Sequence, residues 1–277
     1  MADRRPLSIR RVDGFPLIMG VLNITPDSFH PDSRVDGLDD ALNRAGLMIE
    51  NGADWLDIGG ESTRPSATAV DEGEEMARVL PIITAIRERF TKVGISIDTR
   101  RASVARQALL AGADMINDVS ALSDPQMLEV VVEFGCPICI MHMQGSPEKM
   151  QINPIYGDVV DEVRTILTTV AKKLTEEGIS PNLIIVDPGI GFGKLLEHNL
   201  SLLTAGRQIV PNQEMSLLWG VSRKRMFEDL LGRSESENRL AGTLGVAAMA
   251  KSLGVDIIRV HDVREHADLF ATMAAME

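Results

Sequence analysis

Short apolar runs rich in Val, Ile and Leu recur along the chain, each too brief for a helix and each bounded by Gly, Pro or a polar residue. Eight of them stand at 17–22, 55–58, 95–97, 115–116, 138–141, 183–186, 217–221 and 257–260. They lack polar alternation, which predicts strands buried on both faces in a parallel sheet. Amphipathic stretches of helical length separate them, among them 38–50, 72–89, 103–110, 158–177 and 239–253. A local repeat supports the alternation. Gly52-Ala53-Asp54, Gly112-Ala113-Asp114 and Gly254-Val255-Asp256 each place a helix-stopping glycine just before an apolar run. Eight strand-helix units in one chain predict an α/β fold, a single (β/α)8 TIM barrel. An open doubly wound sheet shares the alternation but usually has fewer strands and a phosphate-binding glycine turn near its start. No linker or composition break divides the chain, so 17–277 reads as one barrel domain and 1–16 as a lead-in.

Composition narrows what such a barrel can serve. The 277 residues are 44% hydrophobic and 25% charged, enough for a sizeable core, and no apolar run is long enough to span a membrane. With 28 Lys+Arg against 40 Asp+Glu the formal charge is −12, which argues against nucleic acid or an anionic membrane as partner. The two cysteines and an N-terminus, Met1-Ala2-Asp3-Arg4-Arg5, without an apolar signal core lead us to expect a cytoplasmic protein.

Polar residues stand where each apolar run stops: Asn23, Asp57, Asp98, Asn117, His142, Asp187, Ser222 to Lys224, and Arg259 with His261. Any one of them can serve as a helix cap or loop former. Eight in series would meet at the mouth where barrel enzymes place their active sites. Asp98 and Asp187 directly follow β-branched strands, so burial there would be costly without donors. A ligand presenting several N–H groups to Asp98, Asn117 and Asp187 would supply them, which points to a flat nitrogen-rich ring, although sugars or amides also fit. Arg64, Lys224, Arg259 and His261 provide donors suited to a phosphate or pyrophosphate. Three other patterns yield nothing catalytic. Cys136 and Cys139 have C-x-x-C spacing, but residues three apart on a strand face opposite ways, so both are expected in the core. The segment Gly189 to Lys194 lacks the phosphate-loop spacing and reads as a strand-to-helix loop. The five histidines form no zinc-ligand set.

In order along the chain, Leu22-Asn23-Ile24-Thr25-Pro26-Asp27-Ser28-Phe29, Glu61-Ser62-Thr63-Arg64-Pro65, Ser96-Ile97-Asp98-Thr99, Ile116-Asn117-Asp118, Met141-His142-Met143, Asp187-Pro188-Gly189, Gly191-Phe192-Gly193-Lys194, Ser222-Arg223-Lys224 and Arg259-Val260-His261-Asp262 closely resemble dihydropteroate synthases. The resemblance implies an enzyme joining 6-hydroxymethyl-7,8-dihydropterin diphosphate to para-aminobenzoate, with release of pyrophosphate and formation of 7,8-dihydropteroate. It implies that Asp98, Asn117, Asp187 and Lys224 hold the pterin edge while Met141 and Phe192 flank its ring. Asn23, Arg259 and His261 would hold the diphosphate with Mg2+, Asn23 being the protein ligand of the metal. Phe29, Thr63, Arg64, Pro65 and Ser222 would lie beside para-aminobenzoate. Asp98, Lys224, Arg259 and His261 would carry the catalysis, and a homodimer through helices of the outer wall is implied as well.

The chain departs from the family pattern at His30-Pro31-Asp32-Ser33, where Pro31 stiffens a loop, and at Ser66, Ile190 and Arg225. These differences concern the second substrate and sulfonamides more than the pterin. Two other readings compete. A methyltetrahydrofolate:corrinoid methyltransferase would need no diphosphate site, and a non-catalytic pterin-binding paralogue would bind without turnover.

Overall fold

The computed structural model describes residues 8–24, 34–61, 70–145 and 150–277. Eight parallel strands close into a barrel in chain order: β1 (Leu17–Asn23), β2 (Trp55–Gly59), β3 (Gly94–Asp98), β4 (Met115–Asp118), β5 (Ile138–Met141), β6 (Ile184–Asp187), β7 (Ser216–Trp219) and β8 (Ile257–Val260), with β8 pairing back onto β1. The α-helices among the described residues lie outside it: α1 (Arg34–Glu50), α2 (Glu72–Arg89), α3 (Ala102–Ala111), α4 (Met127–Phe134), α5 (Val159–Glu176), α6 (Leu196–Ala205), α7 (Met226–Leu231), α8 (Leu240–Ala247) and α9 (Val263–Ala274). The predicted barrel is therefore the observed one.

The strand period of two sorts the side chains into two cores. Leu17, Met19, Trp55, Met115, Cys139, Ile185, Leu218 and Ile257 fill the lower barrel interior. Their neighbours, such as Ile18, Ile58, Ile97, Ile116 and Val186, face outward into a second cluster with the helices. Each large apolar side chain so buried contributes roughly 1.5–3 kcal/mol before the entropy of ordering the chain is counted. Cys139 on β5 belongs to the inner cluster and Cys136, two residues before that strand, to the outer, both unbridged and buried.

Three of the differences between the observed elements and the sequence reading have a local cause. The sixth strand begins at Ile184 because Pro181 opens a short 3-10 turn through Leu183. The seventh ends at Trp219, since Val221 already accepts the Lys224 N–H in a turn. The stretch 239–253 is helical only over α8, and beyond it Met249 and Ala250 bond three residues back instead of four.

The Gly-x-Asp repeat holds the lower rim. Gly112 ends α3 at φ 118°, a conformation that favours glycine, and Gly52 and Gly254 also have positive φ. The aspartates do more than follow. Asp54 Oδ2 accepts the Ile18 N–H at 2.8 Å, Asp114 Oδ2 that of Ile95 at 2.9 Å, and Asp256 Oδ2 that of Leu217 at 2.8 Å. Each clips the preceding strand to the next, with Arg11, Arg87 and Arg207 respectively paired to the same carboxylate. Residues 8–10 cross this rim: Arg10 donates to Ser216 Oγ at 3.1 Å, and Ile9 packs on the inner core. Asp256→Ala leaves the Leu217 N–H and two arginines, Arg207 and Arg10, without their carboxylate. It is expected to cost about 1–3 kcal/mol in urea unfolding while kcat stays unchanged, because the rim lies opposite the mouth.

Candidate active site

The mouth at the C-terminal ends of the strands opens into a cavity of about 720 Å³. Its wall includes Asn23, Asp98, Phe192, Ser222, Lys224, Arg259 and His261, seven of the residues singled out in the sequence. Asn117, Met141 and Asp187 face the same barrel interior immediately beneath that wall and are 4%, 3% and 7% exposed. Phe29, Thr63, Arg64 and Pro65 lie outside the described residues, as do the departures at 30–33 and Ser66. Ile190 is buried, and Arg225 is exposed at the cavity rim.

The strands place the charges at two depths. Asp98 ends β3, and Arg259 sits on β8 with its side chain turned inward. Asp57 is two residues inside the end of β2, one pleat deeper than a strand-end residue, and is fully buried. Arg259 bridges the two carboxylates, with Nε donating to Asp57 Oδ2 at 2.5 Å and a terminal nitrogen to Asp98 Oδ2 at 2.7 Å. Burial, reinforced by Asp57, Glu75 and Asp118, lifts the Asp98 carboxyl to about 7 even though Arg259 pulls it down. Burial works to lower the Arg259 pKa, but Asp57 and Asp98 outweigh it and keep the guanidinium charged.

The loop after β6 supplies the opposite wall. Gly189 approaches so closely that a Cβ would lie 1.8 Å from the His142 carbonyl oxygen, which leaves room only for glycine. Its N–H donates to Asp187 Oδ1 at 2.7 Å. Burial raises the Asp187 pKa, with Lys224, Lys194 and Arg259 opposing. Lys194 fastens the far end of the loop, its Nζ 2.9 Å from His142 Nδ1 and 3.0 Å from the Phe192 carbonyl oxygen. Burial pushes Lys194 down to about 7 and His142 down to about 3, so the neutral imidazole accepts from the lysine. Phe192 is thereby held beneath Lys224, whose Nζ lies 4.0 Å from the ring centre.

Lys224 is presented by a strained turn after β7. Arg223 adopts φ 57°, unusual for a side-chain-bearing residue, and is secured by Asp262 and by its N–H to Thr243 Oγ1 at 3.1 Å. Ser222 Oγ stands 3.0 Å from His261 Nδ1 and fixes the ring at the cavity wall. Sequence reasoning named Asp57, His142 and Lys194 without giving them a role. Inward parity with Trp55 was the available signal for Asp57.

At the edge of the mouth, Glu61 joins Arg100 and Arg101 in ion pairs, and Arg101 also bonds the Val70 carbonyl at 2.6 Å. The two ends of the segment between Glu61 and Val70 are tied to one arginine. Among the described residues no cluster of three or more His, Cys, Asp or Glu could hold a metal ion, and no helix is long and apolar enough to cross a membrane.

The arrangement combines buried acceptors for a nitrogen-rich ring with cationic donors for an anion. The sequence matches the pterin binding enzyme family over residues 19–261. It is 44% identical to the dihydropteroate synthase of Escherichia coli strain K12 over 266 residues, 95% of this chain and 93% of that protein. With the Haemophilus influenzae dihydropteroate synthase it shares 42% identity, covering 94% of each. The Yersinia pestis dihydropteroate synthase in a sulfonamide drug complex superposes with a TM-score of 0.87 at 41% identity, covering 95% of this chain and 94% of that one. The Xanthomonas albilineans enzyme in complex with 7,8-dihydropteroate gives 0.84 at 36% identity, with the same coverages. Fold, mouth and sequence agree, and the chain belongs to the pterin-binding enzymes, among the dihydropteroate synthases.

Proposed function

We propose that this cavity performs the synthase reaction with the residues assigned as follows. Asp98, Asn117, Asp187 and Lys224 meet the polar edge of 6-hydroxymethyl-7,8-dihydropterin diphosphate. Met141 and Phe192 flank its ring, and Arg259 and His261 receive the diphosphate. The bond between the pterin methylene carbon and the diphosphate oxygen breaks with its electron pair going to the leaving group. The para-aminobenzoate nitrogen then captures the carbon and loses a proton. An aniline is a weak nucleophile, so the barrier falls chiefly by stabilising charge on both sides of the breaking bond. Asp98 faces the developing cation, and Arg259 the departing anion. The observation that carries this assignment is the Arg259 bridge, which sets a buried carboxylate and a cation side by side on one cavity wall. The substrate and product classes are those named for the Xanthomonas albilineans dihydropteroate synthase structures, one with 4-aminobenzoic acid and one with 7,8-dihydropteroate.

Asn23 fits Mg2+ as a single hard oxygen donor on the wall beside Arg259 and His261. A site with so few protein ligands suits an ion that arrives with diphosphate oxygens and keeps its waters. When bound, Mg2+ would neutralise charge on the leaving group. EDTA is expected to abolish turnover, with Mg2+ restoring it.

Exposed Leu230 and Leu231 on α7 and Met249 after α8 support a homodimer through that wall, which sedimentation would test. A cytoplasmic location accords with a folate-pathway role.

The deciding experiment measures pyrophosphate release with Mg2+ and the pterin diphosphate, with and without para-aminobenzoate. Release that depends on para-aminobenzoate and yields dihydropteroate is the expected result. Pterin binding without product would instead favour the non-catalytic paralogue, and corrinoid-dependent methyl transfer the methyltransferase. The same assay has a predictable pH limb. A carboxyl raised to about 7 is charged only above that pH, so the free protein must lose a proton before Asp98 can accept pterin N–H groups. Pterin affinity is expected to fall about tenfold per unit below pH 7.

A further inference from the structure

Asp57 enters no step of the reaction described above, yet it is the most deeply placed charge in the site. It is 0% exposed and is reached by residues from two other strands. Arg259 Nε from β8 donates to its Oδ2 at 2.5 Å, and Asn117 Nδ2 from β4 donates to the same oxygen at 3.1 Å. Its other oxygen has no hydrogen-bond partner among the described residues, so both bonds depend on Oδ2. We propose that Asp57 is a positioning residue that sets the orientation of two substrate-facing groups at once, the guanidinium of Arg259 and the amide of Asn117. This inference rests on the reaction assigned above.

The geometry fixes each group separately. A guanidinium held by Nε cannot rotate freely about its last bond, so its terminal nitrogens keep to one plane. One of them is already on Asp98 at 2.7 Å, and Arg259 itself lines the cavity where an anion would lie. The amide argument is one of donor and acceptor. A carboxylate accepts only, so it selects the Nδ2 end of Asn117 and turns the carbonyl oxygen the other way. Asn117 thus presents an acceptor, which a pterin edge rich in N–H groups can use. Without Asp57 the amide has no reason to prefer that face.

A second consequence concerns Asp98. The charged and titratable groups facing it are Arg259 from β8, Asp57 from β2, Glu75 from α2 and Asp118 from β4. Asp57 acts on Asp98 directly as a like charge and indirectly by sharing Arg259 with it. Neutralising Asp57 removes the repulsion and leaves Arg259 to Asp98 alone.

The test compares wild type with Asp57→Asn, binding 6-hydroxymethylpterin and inorganic pyrophosphate separately by calorimetry across pH 5 to 9. We expect the variant to bind each at least about tenfold more weakly near pH 8, the equivalent of losing one oriented charged hydrogen bond. The acid limb of pterin binding should also move down by about one unit or more, as expected when a like charge leaves a carboxyl. A merely structural aspartate would lower the melting temperature without moving that limb. A folded variant with wild-type affinities and an unmoved limb overturns the proposal.

A readout on the unmodified protein covers the case in which the variant does not fold. The Arg259 Nε–H resonance, identified by its loss in Arg259→Lys, should exchange slowly with water both before and after pyrophosphate is added. Exchange as fast as that of exposed arginines in either state overturns the proposal. Product formation by wild type tests the reaction itself, so failure of that reading and failure of this inference remain distinguishable.

Discussion

Asp98→Asn is expected to lower kcat/KM by about 10²–10³-fold while shifting the melting temperature little. The two halves of this expectation have different origins. Asp98 is 7% exposed, and burial raises its pKa to about 7, so the protein bears part of the cost of keeping a charge there. Replacing it with a neutral amide of the same shape relieves that cost and leaves Arg259 still paired to Asp57 at 2.5 Å. Stability therefore has little to lose. Turnover loses both an acceptor for the pterin edge and the negative charge opposite the developing cation. The variant should also lose the acid limb near pH 7, because the titrating carboxyl is gone. Steady-state kinetics between pH 5 and 9, alongside thermal denaturation, separate these effects. Near-normal turnover in a folded Asp98→Asn protein would remove Asp98 from the mechanism.

The barrel was legible because its strands are buried on both faces, and such strands announce themselves as unbroken apolar runs. Ile138 to Met141 needs no tertiary context to be recognised and forms β5 without change, and Ile257 to Val260 forms β8 with the same bounds although Arg259 interrupts its apolar run. Helix ends were legible where a side chain settles them. Asp158 caps α5 through the Val160 and Asp161 N–H groups, and Asp71 caps α2 through Glu74 N. What escaped was set by contacts distant in sequence. That Arg259 spends two of its nitrogens on Asp57 and Asp98 depends on closing the barrel so that β8 reaches β2 and β3 through its interior, some 200 and 160 positions away. The strain at Arg223 escaped for a similar reason, since nothing local to Ser222-Arg223-Lys224 demands a positive φ. It is imposed by Asp262 and Thr243 from later in the chain. In the repeated Gly-x-Asp the helix-stopping glycines are legible locally, whereas the aspartates matter through a neighbouring strand's N–H.

Arg259→Met should fail differently from Asp98→Asn. The arginine is the shared partner of two buried carboxylates, so its removal takes the same ion-pair partner from both Asp57 and Asp98. Breaking a buried ion pair from one side costs about 3–5 kcal/mol, and here the side chain's 22% exposure to the cavity places the expected loss near the lower end, about 3 kcal/mol. For a chain of this size that lowers the melting temperature by roughly 6–12 °C. Activity should fall by at least about 10²-fold as well, since the diphosphate loses its donor. Arg259→Lys separates the two losses. A lysine keeps the positive charge but has no Nε–H and cannot span Asp57 and Asp98 with a planar fork. Much of the stability should therefore return, while turnover should remain close to that of the methionine variant. If Arg259→Lys restores turnover together with stability, charge alone suffices at this position and the forked geometry has no part in the reaction.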